Sequence, residues 1–340
     1  MNIIILGSTS NICSIRVFTN LNNISEKINT IYCYGMEKWN TNDFLKYHFY
    51  KKVDLNNNND KISEKIIFLS GTYDYNNYKK ILSDNIITNA IIYVSTPPIC
   101  YNDILKFFNN NKPYNKLLLE KPLSLNYKDF LSVKPYLTNK TNIIDHFLYK
   151  EDIIDIIELH KDKRFSNFKI QFNYTDDVED RLGYFDKVGF FIDMFQSHFL
   201  SIVYSLINIE IYDFLNMNII KNIRKQYINY GGKNNKDTYF YVELNVNNIT
   251  YIFEAGKAML KSEKKITIDN NEYIINNYKN EYEIYFNNII NDNLTINLIE
   301  QQEIFWNITE LLQSKINSLE YYNKNTLSSI PEETKLYTYN

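Results

Sequence analysis

Asn2-Ile3-Ile4-Ile5-Leu6-Gly7-Ser8-Thr9-Ser10-Asn11, followed by apolar residues at near-helical spacing from Ile12 to Leu21, reads as a buried strand, a tight turn and a helix. The same grammar recurs through the first half of the chain. Thr30–Tyr34 stops at Gly35, Ile66–Ser70 at Gly71, Ala90–Thr96 at Pro97-Pro98, and Leu117–Leu119 at Glu120-Lys121-Pro122. Asn142–Asp145 closes the series, and Tyr101–Asn109 and Tyr127–Tyr136 suit crossover helices. Repeated β-α units of this length predict an α/β unit with a Rossmann-like, doubly wound parallel sheet over residues 1–145.

The second half follows another period. Phe168–Tyr174, Tyr239–Val246, Tyr251–Phe253 and Lys265–Ile268 alternate apolar and polar residues, which predicts a mainly antiparallel sheet with one wet face. Val188–Ile207 is apolar all round and predicts a buried helix against that sheet. Ile304, Ile308, Leu311 and Leu312 form one stripe of a further helix over Glu300–Leu319. Residues 146–340 are therefore expected to form a C-terminal α+β domain.

Composition narrows the function classes. Of 340 residues, 44% are hydrophobic and 23% charged, which fits a chain that buries a core. With 37 basic and 40 acidic residues the net charge is -3, and no basic patch suggests a nucleic-acid partner. No apolar run approaches the roughly 20 residues of a membrane span, and Met1 leads into a strand pattern rather than a signal peptide. The three cysteines, Cys13, Cys33 and Cys100, have no paired spacing, so reduced thiols in a cytoplasmic protein without a metal site are expected. Asn56–Asn59 and Asn109–Asn111 read as solvated loop or helix-end segments, and Lys261–Lys265 as a solvated turn.

Only eight glycines and six prolines are present, so each glycine is informative about backbone geometry. The Gly7–Ile12 turn opens a helix, and its N–H groups suit a pyrophosphate; an ordinary βα turn is the alternative, since only the first glycine of a dinucleotide fingerprint stands here. Two of the four histidines, His146 and His198, stand among polar residues in apolar surroundings, close to Asp145 and Asp193. Satisfied core histidines are the alternative for each taken alone. Lys121, Lys150 and Lys257 beside strand ends suggest an anionic ligand. His48 and His160, in charged helical stretches, read as surface residues without a role.

At this point the residues resemble the glucose-6-phosphate dehydrogenase family. Ile144-Asp145-His146-Phe147-Leu148-Tyr149-Lys150-Glu151 is similar to the family's R-I-D-H-Y-L-G-K-E signature, and Arg181–Gly189 to its R-G-G-Y-F-D-x-x-G. Asp193 with Gln196-Ser197-His198 resembles D-x-x-Q-N-H. Glu120-Lys121-Pro122, Tyr93–Tyr101 and Ala255-Gly256-Lys257-Ala258 resemble E-K-P, L-P-P-x-x-Y and C-G-K-A. The resemblance implies that His198 is the general base for the sugar's anomeric hydroxyl, with Asp145 holding and supporting the imidazole. It implies that His146 and Lys150 take the sugar phosphate, that Lys121 sits between sugar and nicotinamide, and that Asp193 and Lys257 hold sugar hydroxyls or the phosphate. The implied cofactor contacts are Gly7, Ser8, Thr9, Ser10, Asn11, Ile12, Met36, Thr96, Pro97 and Lys121, around NADP or NAD. The implied reaction oxidises C1 of a hexose 6-phosphate, glucose 6-phosphate first, to the lactone in the pentose phosphate pathway, in a homodimer.

The departures are specific. Ser10 and Asn11 replace a loop glycine and aspartate, Phe147 a tyrosine, Ser197 an asparagine, and Tyr174 stands where a glutamate contacts the sugar. Met36 replaces the arginine for the 2′-phosphate and is followed by Glu37, a carboxylate that favours a ribose diol. NAD is therefore expected to serve at least as well as NADP, unless Arg16 or Lys38 compensates. The stretch between His198 and Lys257 is also shorter than in the family, which would trim its dimer sheet and any second NADP site. Two alternatives remain: a sugar oxidoreductase of the Gfo/Idh/MocA type, which shares the nucleotide domain and the E-K-P lysine but not the Arg181–Gly189 segment, and a catalytically silent nucleotide and sugar-phosphate binding homologue.

Overall fold

The computed structural model describes residues 1–53, 60–110, 113–161, 163–276, 280–291, 293, 298–316 and 318–328; Asn56–Asn59 and Asn111, read above as solvated, lie outside these. Two compact units emerge: Met1–Lys150 with Tyr278–Gln301, and Glu151–Asn277 with Gln302–Asn340. A single boundary at 145/146 does not describe this division. The chain crosses at 150/151 and then returns to the first unit for one further segment.

The first unit is built on six parallel strands: β1 (Asn2–Leu6), β2 (Thr30–Gly35), β3 (Ile66–Ser70), β4 (Ile91–Val94), β5 (Lys116–Glu120) and β6 (Thr141–Ile144). Their order, β3-β2-β1-β4-β5-β6, reverses direction at β1, the doubly wound arrangement. Register is fixed by pairs such as Ile3 with Ile31 on one side and Ile91 on the other. Strands buried on both faces need continuous apolar sequence, and Ile3, Ile4, Ile5 and Leu6 are fully enclosed. One face packs Ile5, Cys33, Tyr93 and Leu118 against Val17, Phe18 and Leu21 of the first helical run, 11–23. Tyr282, Tyr285, Phe286 and Ile289, from the returning helix Glu281–Ile290, join the same core. That helix is further tied to the first run by Asn20 Oδ1, which accepts the Glu283 N–H at 3.2 Å, and to the short turn that follows it by Lys27 Nζ donating to Asn287 Oδ1 at 3.0 Å.

The second unit holds a mixed sheet of seven strands: β7 (Asn167–Asn173), β8 (Asn218–Tyr227), β9 (Tyr239–Val246), β10 (Ile249–Gly256), β11 (Glu263–Ile268), β12 (Asn271–Ile274) and β13 (Glu320–Tyr322). The order is β12-β11-β7-β10-β9-β8-β13, antiparallel except for the β7/β10 and β8/β13 pairs. Glu263–Lys265 opens β11 rather than remaining in a solvated turn: it pairs with β7, and Lys265 Nζ reaches Glu272 on β12 at 3.1 Å and Glu263 on its own strand at 3.3 Å. Phe195 and Phe199 pack edge-on against Phe253 and Phe172, with centroids 5.1 and 5.3 Å apart.

The helix expected across Val188–Ile207 is split. Leu182–Val188 ends at Gly189, whose φ of +80° stops it, and a second helix runs over 192–207 at 73° to the 179–188 segment. Asp237 organises the break: its backbone O accepts the Phe190 N–H and its Oδ2 accepts the Phe191 N–H at 2.6 Å. Among the described residues no single helix is long and apolar enough to cross a membrane.

Gly7 is required by close approach as well as by its φ of +84°. A Cβ there would lie 2.8 Å from the Ser95 carbonyl oxygen. Gly7→Ala is therefore expected to lower the unfolding free energy by about 1–3 kcal/mol, measured by urea titration; an unchanged midpoint and slope would contradict this reading.

Candidate active site

The β1 loop is held as a defined shape. Gly7 and Ser8 N–H groups both donate to Tyr34 O, at 3.0 and 3.2 Å, and Ser8 Oγ donates to the same oxygen. The helical run begins at Asn11, and Ser10 acts as its N-cap by accepting the Cys13 N–H at 3.3 Å. Ser10 Oγ also donates to Ser95 Oγ at 3.0 Å, fastening the loop to the end of β4. Next along, Thr96 is buried and its Oγ1 finds no partner among the described residues, and Pro97 starts a short turn. At the end of β2, Met36 is exposed, while Glu37 Oε2 is enclosed without a partner among the described residues, against Gly35. Arg16 Nε lies 3.7 Å from Glu281 Oε1 on the returning helix. A loop with a forced glycine, a helix start behind it, an orphaned hydroxyl and an orphaned carboxylate at the strand ends fit a dinucleotide. Thr9, Asn11 and Ile12 complete the loop.

Farther along the same sheet edge, β5 and β6 bring two distant sequence segments together. Lys121 Nζ donates to Asp145 Oδ2 at 3.1 Å, with both side chains almost fully enclosed. Asp145 Oδ1 accepts the Phe147 N–H, which fixes the turn carrying His146. Burial lowers the Lys121 pKa, opposed by the Asp145 carboxylate. Beside them Glu120 Oε1 accepts the hydroxyls of Tyr93 and Tyr282, each at 2.8 Å. Its pKa is raised to about 7, first by burial and then by the Asp145 charge, against the two tyrosine donors. His146 stacks on Tyr282 at 5.9 Å and 17°, and Lys150 Nζ lies 4.0 Å from Glu281 Oε1.

In the second unit, Asp193 Oδ1 accepts the Tyr184 hydroxyl at 2.6 Å, so the Arg181–Gly189 segment meets the helix that carries His198. Arg181 lies over the Tyr184 ring at 4.7 Å. His198 is buried on that helix, and Ser197 Oγ donates to Ile192 O and Gln196 Oε1 instead of facing outward. Lys257 Nζ sits 4.2 Å over the Tyr174 ring, a cation–π contact. Burial lowers the Lys257 pKa, and Asp176 and Asp193 oppose that shift.

The sequence reading missed Tyr93 and Tyr282 as the donors to Glu120, and Glu281 as the carboxylate facing Arg16 and Lys150. Glu281 and Tyr282 lie about 130 residues beyond the signature they touch, so no local spacing announces them. His48 also departs from expectation: it is buried, its Nε2 lies 3.0 Å from Ser14 Oγ, and burial, followed by the Lys52 charge, lowers its pKa to about 4. His160 hydrogen-bonds the Tyr273 hydroxyl at 2.7 Å.

Residues 4–154 match the family model described as glucose-6-phosphate dehydrogenase, NAD binding domain. Among curated proteins, the glucose-6-phosphate 1-dehydrogenase of Encephalitozoon cuniculi is 23% identical over 301 residues, covering 79% of this chain and 67% of that protein. The Buchnera aphidicola enzyme of the same name is 30% identical over 205 residues, or 50% of this chain and 40% of the relative. That of Leuconostoc mesenteroides is matched over 28% of its length, so the alignments span from about a quarter to two thirds of these relatives. Among solved structures, a glucose-6-phosphate dehydrogenase in complex with glucose-6-phosphate superposes with a TM-score of 0.76 at 14% identity, covering 100% of this chain and 98% of that one. The Mycobacterium avium glucose-6-phosphate 1-dehydrogenase gives 0.75 at 15% identity, over 95% and 93%. The WlbA dehydrogenase from Thermus thermophilus, in complex with NAD and alpha-ketoglutarate, gives 0.63 at 8% identity, over 94% and 96%.

Glu120 binds its proton more tightly when folded than its ordinary value of 4.5 allows, so its stabilising contribution is complete below that pH and is lost as pH rises through 7. Between pH 4.5 and 8 the stability of Glu120→Gln should rise relative to the unmodified protein by up to about 3 kcal/mol. Denaturant titrations across that range check this, and parallel curves would contradict it.

Proposed function

We propose that the chain is a divergent member of the glucose-6-phosphate dehydrogenase family and that it oxidises C1 of a hexose 6-phosphate, glucose 6-phosphate first, to the lactone. The observation that carries the reading is the Lys121–Asp145 pair. It unites the Glu120-Lys121-Pro122 and Asp145-His146 segments at the edge of a doubly wound sheet, where such folds bind ligands. The Arg181–Gly189 segment, joined to Asp193 through Tyr184, favours this over other sugar oxidoreductases.

Bound nicotinamide dinucleotide supplies the hydride acceptor. His198 accepts the proton of the anomeric hydroxyl as the C1–H hydride departs and C1 becomes a carbonyl. Lys121, held charged by Asp145, orients a hydroxyl and places positive charge beside the oxygen that develops negative charge. His146 and Lys150 take the phosphate dianion, and Asp193 and Lys257 bind sugar hydroxyls or the phosphate. A cytoplasmic setting suits the reduced Cys13, Cys33 and Cys100, and a homodimer is part of the same reading.

Either NAD or NADP fills the cofactor role, and the residues at the end of β2 favour NAD. Met36 supplies no charge, Glu37 supplies a carboxylate, and Arg16, the stronger candidate for a 2′-phosphate, lies against Glu281. Glu37 is the group that would accept from a ribose hydroxyl.

His198→Ala should lower turnover on glucose 6-phosphate by a factor on the order of 10² to 10⁴ while cofactor affinity is kept. Absorbance at 340 nm with NAD and with NADP measures this, and the unmodified protein should show kcat/KM for NAD at least equal to that for NADP. Undiminished turnover in the variant would place the base elsewhere.

A further inference from the structure

The returning helix Glu281–Ile290 lies outside the segment matched by the dinucleotide-domain model, yet its first two residues touch three motifs of the first unit. Tyr282 donates its hydroxyl to Glu120 at 2.8 Å and presents its ring, nearly parallel, to His146. Glu281 is 1% exposed; its Oε1 lies 3.7 Å from Arg16 and 4.0 Å from Lys150, and its Oε2 has no partner among the described residues.

A carboxylate so enclosed is unfavourable unless cations are near it, and the two cations are in turn held in place by it. The indispensable consequence is for Lys150. Its ammonium is on a flexible four-carbon stem, and a fixed counter-charge restricts where it can sit. The stacked Tyr282 ring does the same for the His146 imidazole, and the Glu120 hydrogen bond holds that ring.

We infer that Glu281 and Tyr282 are positioning residues for the phosphate group of the substrate: they set Lys150 and His146 and make no contact with the phosphate themselves. This rests on the reading above that those two side chains take a sugar phosphate. With Glu281 neutralised, Lys150 loses its anchor and repulsion from Arg16 is no longer offset, so the phosphate loses affinity although both cations remain.

Calorimetric titration of the full chain with glucose 6-phosphate, inorganic phosphate and glucose tests this without turnover. Glu281→Gln and Tyr282→Leu should each weaken glucose 6-phosphate and inorganic phosphate by about tenfold, the scale of a charge-assisted contact, and leave glucose and NAD affinity unchanged. Tyr282→Phe, which keeps the ring, should lose less than Tyr282→Leu. Glu281→Gln added to Lys150→Ala should weaken phosphate no further than Lys150→Ala alone, because the carboxylate acts through that lysine. Thermal unfolding of each variant confirms folding, and the separate Tyr282 and Glu281 arms keep the test decisive where one variant does not fold. If the unmodified protein binds glucose 6-phosphate no better than glucose, the phosphate reading itself falls. If it discriminates and the folded variants discriminate equally, the positioning role alone is overturned.

Discussion

The enclosed ion pair between Lys121 and Asp145 is the constraint on which the chemistry of the first unit depends. Two charges taken out of water are tolerated only when each has the other and further hydrogen bonds, and removing one strands its partner. Asp145 meets this by using Oδ2 for Lys121 and Oδ1 for the Phe147 N–H. One carboxylate therefore joins the ends of β5 and β6 and sets the start of the turn that presents His146. The pair is a costly way to stabilise a fold, which is why its presence argues for a site.

Around that pair the protein arranges charge in layers. Glu120 lies beside Lys121 in sequence and accepts two buried tyrosine hydroxyls. Tyr282 and Glu281 bring the returning helix to the same edge, so a segment far along the chain completes a dinucleotide fold that the first 150 residues leave unfinished. At the middle of the same sheet edge the β1 loop depends on a backbone contact, Gly7 against Ser95, and on Ser10 as cap. The serine that replaces a loop glycine is thus used for local structure.

How much of this the sequence discloses depends on what fixes each element. β1, the Tyr101–Asn109 helix and β9 over Tyr239–Val246 are decided by local apolar pattern, and the bounds read from that pattern agree with the structure. β8, Asn218–Tyr227, went unread because Lys221, Asn222, Arg224 and Lys225 break its alternation, and its place comes from pairing with β9. The Val188–Ile207 helix looked continuous because Gly189 is a single residue in an apolar run; its break is imposed by Asp237, remote in sequence. His48 looked solvated from its lysine neighbours, but Phe44 stacks on it from the preceding helical turn. At the site, motif residues were legible as types, while the partners that hold them, Tyr93, Tyr282 and Glu281, are brought in by tertiary structure.

The central claim is that hydride leaves C1 of a hexose 6-phosphate. Incubation of the protein with glucose 6-phosphate carrying deuterium at C1, in the presence of NAD, followed by mass analysis of the reduced cofactor, tests it most directly. The account predicts one deuterium in each reduced cofactor molecule and a matching yield of lactone or its hydrolysis product. Reduced cofactor without deuterium, or no reduction with either NAD or NADP, would contradict it.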